Sequence, residues 1–191
     1  KNRTNGNLES WKVYHQAIAN THALTLDTTA AKSDNVEFWS DETPTSTVFT
    51  VGRQDATNNN SMIAYCFADV KGYSKVGGSY VGSGSAPGTF SYLGFKPAFL
   101  LMKESDGADG WGLYDNKRNP NNTTSFLLQA NDSGAESNAA ANTIDFLSNG
   151  FRVCASGSQG NFINESGKTY IYAAFAEQPF VTSGGVPATA R

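Results

Sequence analysis

The chain has 191 residues, a formal net charge of −3 and a pI near 5.3, with 39% hydrophobic and 16% charged residues. That length suits one domain with a real core rather than two separate domains, and its scattered Lys and Arg exclude the clustered basic footprint of a nucleic-acid binder. The longest apolar runs, Pro97 to Met102 and Tyr170 to Ala176, fall far short of the roughly 20 residues a membrane-spanning helix needs, so no such helix is expected.

Taken in chain order, the sequence opens at Lys1 with neither an initiator Met nor a basic-then-apolar leader, and is expected to be part of a longer or processed polypeptide. Strands are predicted wherever β-branched and aromatic residues alternate between turn residues. They fall at Thr47–Val51, at Ile63–Phe67, in the apolar stretch Gly94–Met102, at Phe151–Val153 and at Tyr170–Phe175. Asn-rich and Gly-rich stretches, such as Thr57–Asn60 and Gly77–Gly88, read as the loops of a sandwich or barrel. Glu136 to Asn142 leans toward helix but lacks an apolar face and is not assigned as one. With 19 Gly, 12 Phe, 8 Tyr and 3 Trp spread along the chain, the composition points the same way, to an all-β chain folded as a sandwich or barrel.

An internal repeat organises these strands. Lys1-Asn2-Arg3, Ser10–Tyr14, Ala23–Leu26, Val48–Val51 and Ile63–Asp69 are answered in order by Lys103, Gly110–Tyr114, Phe126–Leu128, Gly150–Val153 and Ile171–Glu177. The single domain 1–191 thus divides into repeat 1, about 1–76, and repeat 2, about 93–181, with a Gly/Ser-rich connection at 77–92 and an extended tail at 182–191. In each half a Trp and a Tyr stand three residues apart, Trp11/Tyr14 and Trp111/Tyr114, and strand geometry puts them on opposite faces. In the second half the apolar strand Gly94–Met102 leads into Lys103, whereas in the first half the sequence opens at Lys1 itself. A similar strand is expected upstream in a longer polypeptide, or else a neighbouring chain completes the sheet by strand addition.

The run Pro44–Gly52, the block Ile63–Ala68 with Lys71–Lys75, the segment Tyr92–Lys103, the block Asp115–Arg118 and the closing Ala174–Phe180 together resemble a domain that recurs in tail and other structural proteins of marine and freshwater bacteriophages. The resemblance spans essentially the whole chain. It implies a concanavalin-like, jelly-roll β-sandwich in a virion component, on a tail fibre or decorating the particle, with no catalytic residues to carry over.

The residues themselves offer little chemistry. Gly167-Lys168-Thr169 resembles the end of a P-loop, but Phe162 stands where the first glycine is required. With His15 and His22 as the only histidines and no Gly-x-Ser-x-Gly elbow, no Ser-His-Asp set is apparent. Acid pairs for glycoside hydrolysis could be drawn from Glu37, Asp41, Glu42, Asp106, Asp109 and Asp115, and solvated charge is the default for each. Asp106-Gly107-Ala108-Asp109 lacks the Glu and the spacing of a calcium loop and reads as a turn. Cys66 and Cys154 lack metal or redox spacing, leaving a single bridge or two separate thiols as alternatives. The sequons Asn121-Asn122-Thr123 and Asn164-Glu165-Ser166 follow from the Asn-rich loops.

No cofactor and no metal is expected, and the chain reads as non-enzymatic. Its partners are expected to be other virion proteins or copies of itself, with a role in assembly. The alternative is a receptor-binding, lectin-like module in which Trp39, Tyr73 and Tyr80 stack on host-surface glycans.

Overall fold

The computed structural model describes residues 1–4, 9–53, 61–138, 140–155 and 162–178. The Asn-rich loop at 57–60, the tail at 182–191 and the Pro179-Phe180 end of the closing block lie outside the described residues. The elements are β1 (Lys12–Val13), a 3-10 turn (Gln16–Ile18), β2 (His22–Thr25), β3 (Ser33–Asp34), α1 (Val36–Trp39), β4 (Ser74–Val81), β5 (Phe90–Tyr92), β6 (Pro97–Glu104), β7 (Gly112–Asp115), β8 (Phe126–Gln129), β9 (Ser137–Asn138), β10 (Ile144–Leu147), β11 (Gly150–Val153) and β12 (Thr169–Ala176). The protein is mostly β-sheet, and its strands pair antiparallel throughout.

The central six-stranded sheet runs β4-β12-β6-β7-β8-β9, beside two three-stranded sheets ordered β10-β11-β5 and β1-β2-β3. Its inner strands alternate apolar residues on both faces, as a sheet covered on both sides must. From β6 and β12, Leu100, Met102, Tyr170, Tyr172 and Ala174 enter the main core, where Ile144, Phe146, Phe151 and Val153 of the β10-β11-β5 sheet meet them. Leu101 and Ile171 point the opposite way and pack, with Trp111, against Val13, Ile18, Leu24 and Leu26 of the N-terminal segment. Each such fully buried side chain contributes about 1.5–3 kcal/mol. The Trp111/Tyr114 pair divides as its spacing predicts, Tyr114 into the main core and Trp111 into the opposite cluster.

The sheet β1-β2-β3 repeats the register of β7-β8-β9. Lys12↔Thr25 and Val13↔Leu24 correspond to Gly112↔Gln129 and Leu113↔Leu128, and His22↔Asp34 and Ala23↔Ser33 to Phe126↔Asn138 and Leu127↔Ser137. Even the flanking bonds agree. Trp11 N–H donates to Asp27 Oδ1 and Trp11 O accepts from Leu26, while Trp111 N–H donates to Asn131 Oδ1 and Trp111 O accepts from Ala130.

Three expected elements differ. Thr47–Val51 is irregular and largely exposed, because the Thr45 hydroxyl accepts from the Thr47 and Val48 amides, and the Thr45 amide donates to Val48 O. This local turn captures backbone groups that a ladder would need. Ile63–Phe67 is also not a strand: beyond Ile63, which exchanges both backbone bonds with Lys1, Ala64–Phe67 have no ladder partner among the described residues. The stretch 77–92 is more than a connection, since its ends belong to β4 and β5. Gly78 can serve mid-strand because the Tyr172 ring crosses it where a Cβ would stand. Within 136–142, Ser137–Asn138 pairs with β8 as β9.

Candidate functional site

The three residues expected to stack on glycans are not brought together as one exposed surface. Tyr80 lies in the main core, its hydroxyl donating 2.7 Å to Ile163 O and its ring stacked on Tyr170. Trp39 is buried at the end of α1, its indole N–H donating 3.0 Å to His22 O and its ring meeting Tyr14 edge to face. Asn35 caps that short helix through the Glu37 amide, which fixes the Trp39 position. Both residues serve packing, where a sugar cannot reach their faces. Tyr73 alone is exposed, edge-on to Phe175.

The polar residues with altered chemistry gather instead at the loop between β6 and β7. Leu100, Met102 and Glu104 share one strand face, so the period that buries the first two also buries Glu104, which is 1% exposed. Burial first, then a hydrogen bond and negative charge from Asp109, push its carboxyl up to about 7 against the opposing pull of Lys168. Lys168 Nζ stands 3.4 Å from Glu104 Oε1, an ion pair without hydrogen-bond geometry, and leaves that oxygen weakly satisfied. Gly107 is required here: a Cβ would fall 2.2 Å from Glu104 Oε1. Lys103 is buried alongside, donating 2.6 Å to Glu104 O and 2.8 Å to Gly107 O, and desolvation lowers its pKa. Asp106 is held outside by Lys32, whose hydrogen bond keeps its carboxyl below the usual range. This arrangement knits a loop; the acids around it are engaged or solvated. Lys103 and Glu104 follow an apolar strand where its end is expected, which hides their burial in the sequence, although the period of two already points Glu104 inward.

Asp115 is bound by Arg118, which also reaches Glu136. His15 is buried and caps the 3-10 turn by accepting from the Ala17 amide, and burial lowers its pKa. Both thiols are free: Cys66 is exposed, and burial with Asp145 pushes Cys154 up to about 12. Among the described residues, no group of three or more His, Cys, Asp or Glu could hold a metal ion, and no helix is long and apolar enough to cross a membrane. Asn164, the acceptor of one sequon, is fully buried, donating to Ser85 O and Ala155 O and accepting from the Ser83 amide. The folded chain offers it to no modifying enzyme.

Two open, shallow clefts lie on the surface. One of about 170 Å³ is lined by Lys96, Asn116 and residues 119–122; one of about 320 Å³ is lined by Asp69, Lys71, Lys75 and the exposed Tyr92. The other surface feature is apolar: Val48, Phe49, Val51, Tyr65 and Phe67 are all exposed in the first half of the chain.

These features define an all-β, antiparallel-sheet domain whose surface is marked by exposed apolar side chains and open polar clefts. The chain belongs to the family described as domain of unknown function DUF7483, whose model matches residues 1–179. No curated protein and no solved structure matches it.

Proposed function

We propose that this chain is a non-catalytic structural module of a bacteriophage virion, which joins copies of itself or other virion proteins on a tail fibre or particle surface. The observation that carries the assembly role is the exposure of Val48, Phe49 and Val51 on one short segment, since apolar side chains exposed together mark interaction surfaces. The virion setting rests on the sequence blocks that resemble the recurrent phage domain. The matching registers of β1-β2-β3 and β7-β8-β9 favour a duplicated unit, and the packed antiparallel sheets are compatible with a concanavalin-like jelly roll. The module is assembled in the host cytoplasm and needs no cofactor. Cryo-electron microscopy of the intact particle tests the reading: Val48 and Phe49 buried against a neighbouring subunit would support it, and a domain absent from the particle would overturn it.

The cleft beside Tyr92, with Asp69, Lys71 and Lys75 on its walls, favours a second reading, recognition of host-surface glycans. An exposed ring next to hydrogen-bonding groups suits a sugar. A glycan array on the wild type and on Tyr92→Ala and Tyr73→Ala variants tests it; silence of the wild type removes it.

A further inference from the structure

The first half lacks a counterpart of β6 ahead of Lys1, and the second half shows what stands in that place. In it β6 lies between β12 and β7: Met102 opposes Tyr172 on one side and Gly112 on the other, and Leu101 opposes Ala173 and Leu113. In the first half the end of the same arrangement is present. Lys1 exchanges both backbone bonds with Ile63 at 3.0 Å, Asn2 bridges Met62, and the Arg3 amide donates 2.8 Å to Ser61 O. The counterparts are Lys103↔Ile171, Glu104↔Tyr170 and the Ser105 amide donating 2.9 Å to Thr169 O. One constant offset for each segment, 102 for Lys1–Arg3 and 108 for Ser61–Ile63, relates all three pairs.

Beyond Ile63 the correspondence stops for want of a partner. Tyr172–Phe175 are flanked by β4 and β6, whereas Ala64–Phe67 have no ladder partner among the described residues, and Tyr65 and Phe67 are each 66% exposed. β1, the counterpart of β7, pairs with β2 alone among the described residues. Thus the two edges that flank β6 in the second half both exist in the first. They face each other through the Trp11 and Tyr65 rings, stacked with centroids 5.7 Å apart, while Phe67 leans edge-on against Phe175.

We propose that the edges of Ile63–Ala68 and β1 form a strand-accepting slot, and that its occupant is an extended apolar segment leading directly into Lys1. The residue ahead of Lys1 opposes Ala64 and Lys12, as Met102 opposes Tyr172 and Gly112. Direction and register favour this occupant over a second chain, because Lys1 already sits in the ladder and a strand running back from it passes along Ala64 to Ala68 with no connection to make. Its chemistry is that of Pro97–Met102: main-chain bonds to two edges give the affinity, and alternate apolar side chains cover Tyr65 and Phe67. An edge left open in this way is otherwise a site for unwanted pairing. The inference does not depend on the virion setting.

The test fuses residues 94–102 immediately ahead of Lys1 of the full chain and follows amide hydrogen exchange across residues 61–69, with the free peptide added in trans to the unfused chain as a second arm. Exchange at 64–67 is expected to slow by about tenfold or more in the fusion, with the added strand itself protected, and a fusion carrying Asp at the positions of Leu100 and Leu101 is expected to lose that protection. Unchanged exchange at 64–67 in a folded fusion overturns the proposal. Should the fusion fail to fold, unchanged exchange with saturating peptide overturns it equally. Protection of 64–67 already present in the unfused chain and rising with its concentration would assign the slot to a second copy and overturn the proposed occupant.

Discussion

The phenol rings of Tyr80 and Tyr170 lie face to face, centroids 5.0 Å apart and planes 13° apart, at a paired position of β4 and β12. With the Tyr80 hydroxyl on Ile163 O, this contact ties the edge of the central sheet to its middle. Tyr80→Ala is expected to cost about 3–5 kcal/mol, as removal of a large buried ring does. Tyr80→Phe, which loses only the hydrogen bond, costs about 0.5–1.5 kcal/mol. Urea unfolding of the three proteins checks this; a Tyr80→Ala midpoint equal to that of the wild type would return the residue to the surface role first expected of it.

Gly77 and Gly78 are adjacent in β4 but not equivalent. A Cβ on Gly78 would stand 2.1 Å from Cζ of Tyr172, a ring buried in the core and held edge-on by Phe151. A Cβ on Gly77 would meet the amide end of the exposed Gln16 side chain at 2.1 Å. The ring cannot yield and the glutamine can. Gly78→Ala is expected to destabilise by about 1–3 kcal/mol and Gly77→Ala to stay within about 0.5 kcal/mol, read as shifts in unfolding midpoint at constant m. Equal effects at the two positions would contradict the packing described.

What could be read from sequence follows the reach of each interaction. The strands of the second half, among them Phe151–Val153 and Tyr170–Phe175, are legible because their alternation is matched by β10 and β6 of the same half. Val48–Val51 carries an equally good pattern, yet its backbone closes a turn on Thr45, and no periodicity reports which of two hydrogen-bond partners wins. The same limit applies to the glycan candidates. Composition gives Trp39 and Tyr80 rings but not the Asn35 cap or the Ile163 carbonyl that hold them inside. The burial that chiefly raises the Glu104 carboxyl is legible in the strand period, since Glu104 follows Leu100 and Met102 on one face; the further push from Asp109 across a loop is not.

Asn164 holds the chain from Ser83 to Ser85 against the segment ending at Ala155, donating 3.0 Å to Ser85 O and 2.7 Å to Ala155 O while accepting 2.8 Å from the Ser83 amide. Asn164→Asp turns the two donors into an acceptor facing two carbonyls, within a fully buried site. The expected loss is about 2–4 kcal/mol, more than the Asn164→Ala loss of the bonds alone would give if the cavity took up water. Thermal unfolding of both variants measures the order, and an Asn164→Asp variant as stable as the wild type would contradict it. If the chain is produced in a glycosylating host, mass analysis of the peptide that carries Asn164 is expected to show it bare.

Glu104 makes stability depend on pH in the sense opposite to that of the paired carboxylates. Its carboxyl titrates near 4.5 in the unfolded chain and at about 7 in the fold, so between those values the native state holds one more proton than the unfolded state. Stability from this group is therefore fully present below 4.5 and is lost as pH rises through about 7, with a slope of at most about 1.4 kcal/mol per pH unit. Asp69, Asp106, Asp115 and Glu177, whose partners lower their pKa values, act the other way and only in the acid range. The lowered His15 opposes Glu104 as its unfolded form deprotonates near 6.5. Comparison with Glu104→Gln cancels these shared groups. The unfolding free energy of the wild type minus that of Glu104→Gln is expected to decline from pH 5 to pH 8 and then level off, because the amide keeps the neutral hydrogen-bonding form at every pH. A flat difference would mean that Lys168, at 3.4 Å, offsets burial and Asp109 and keeps the carboxylate ionised throughout.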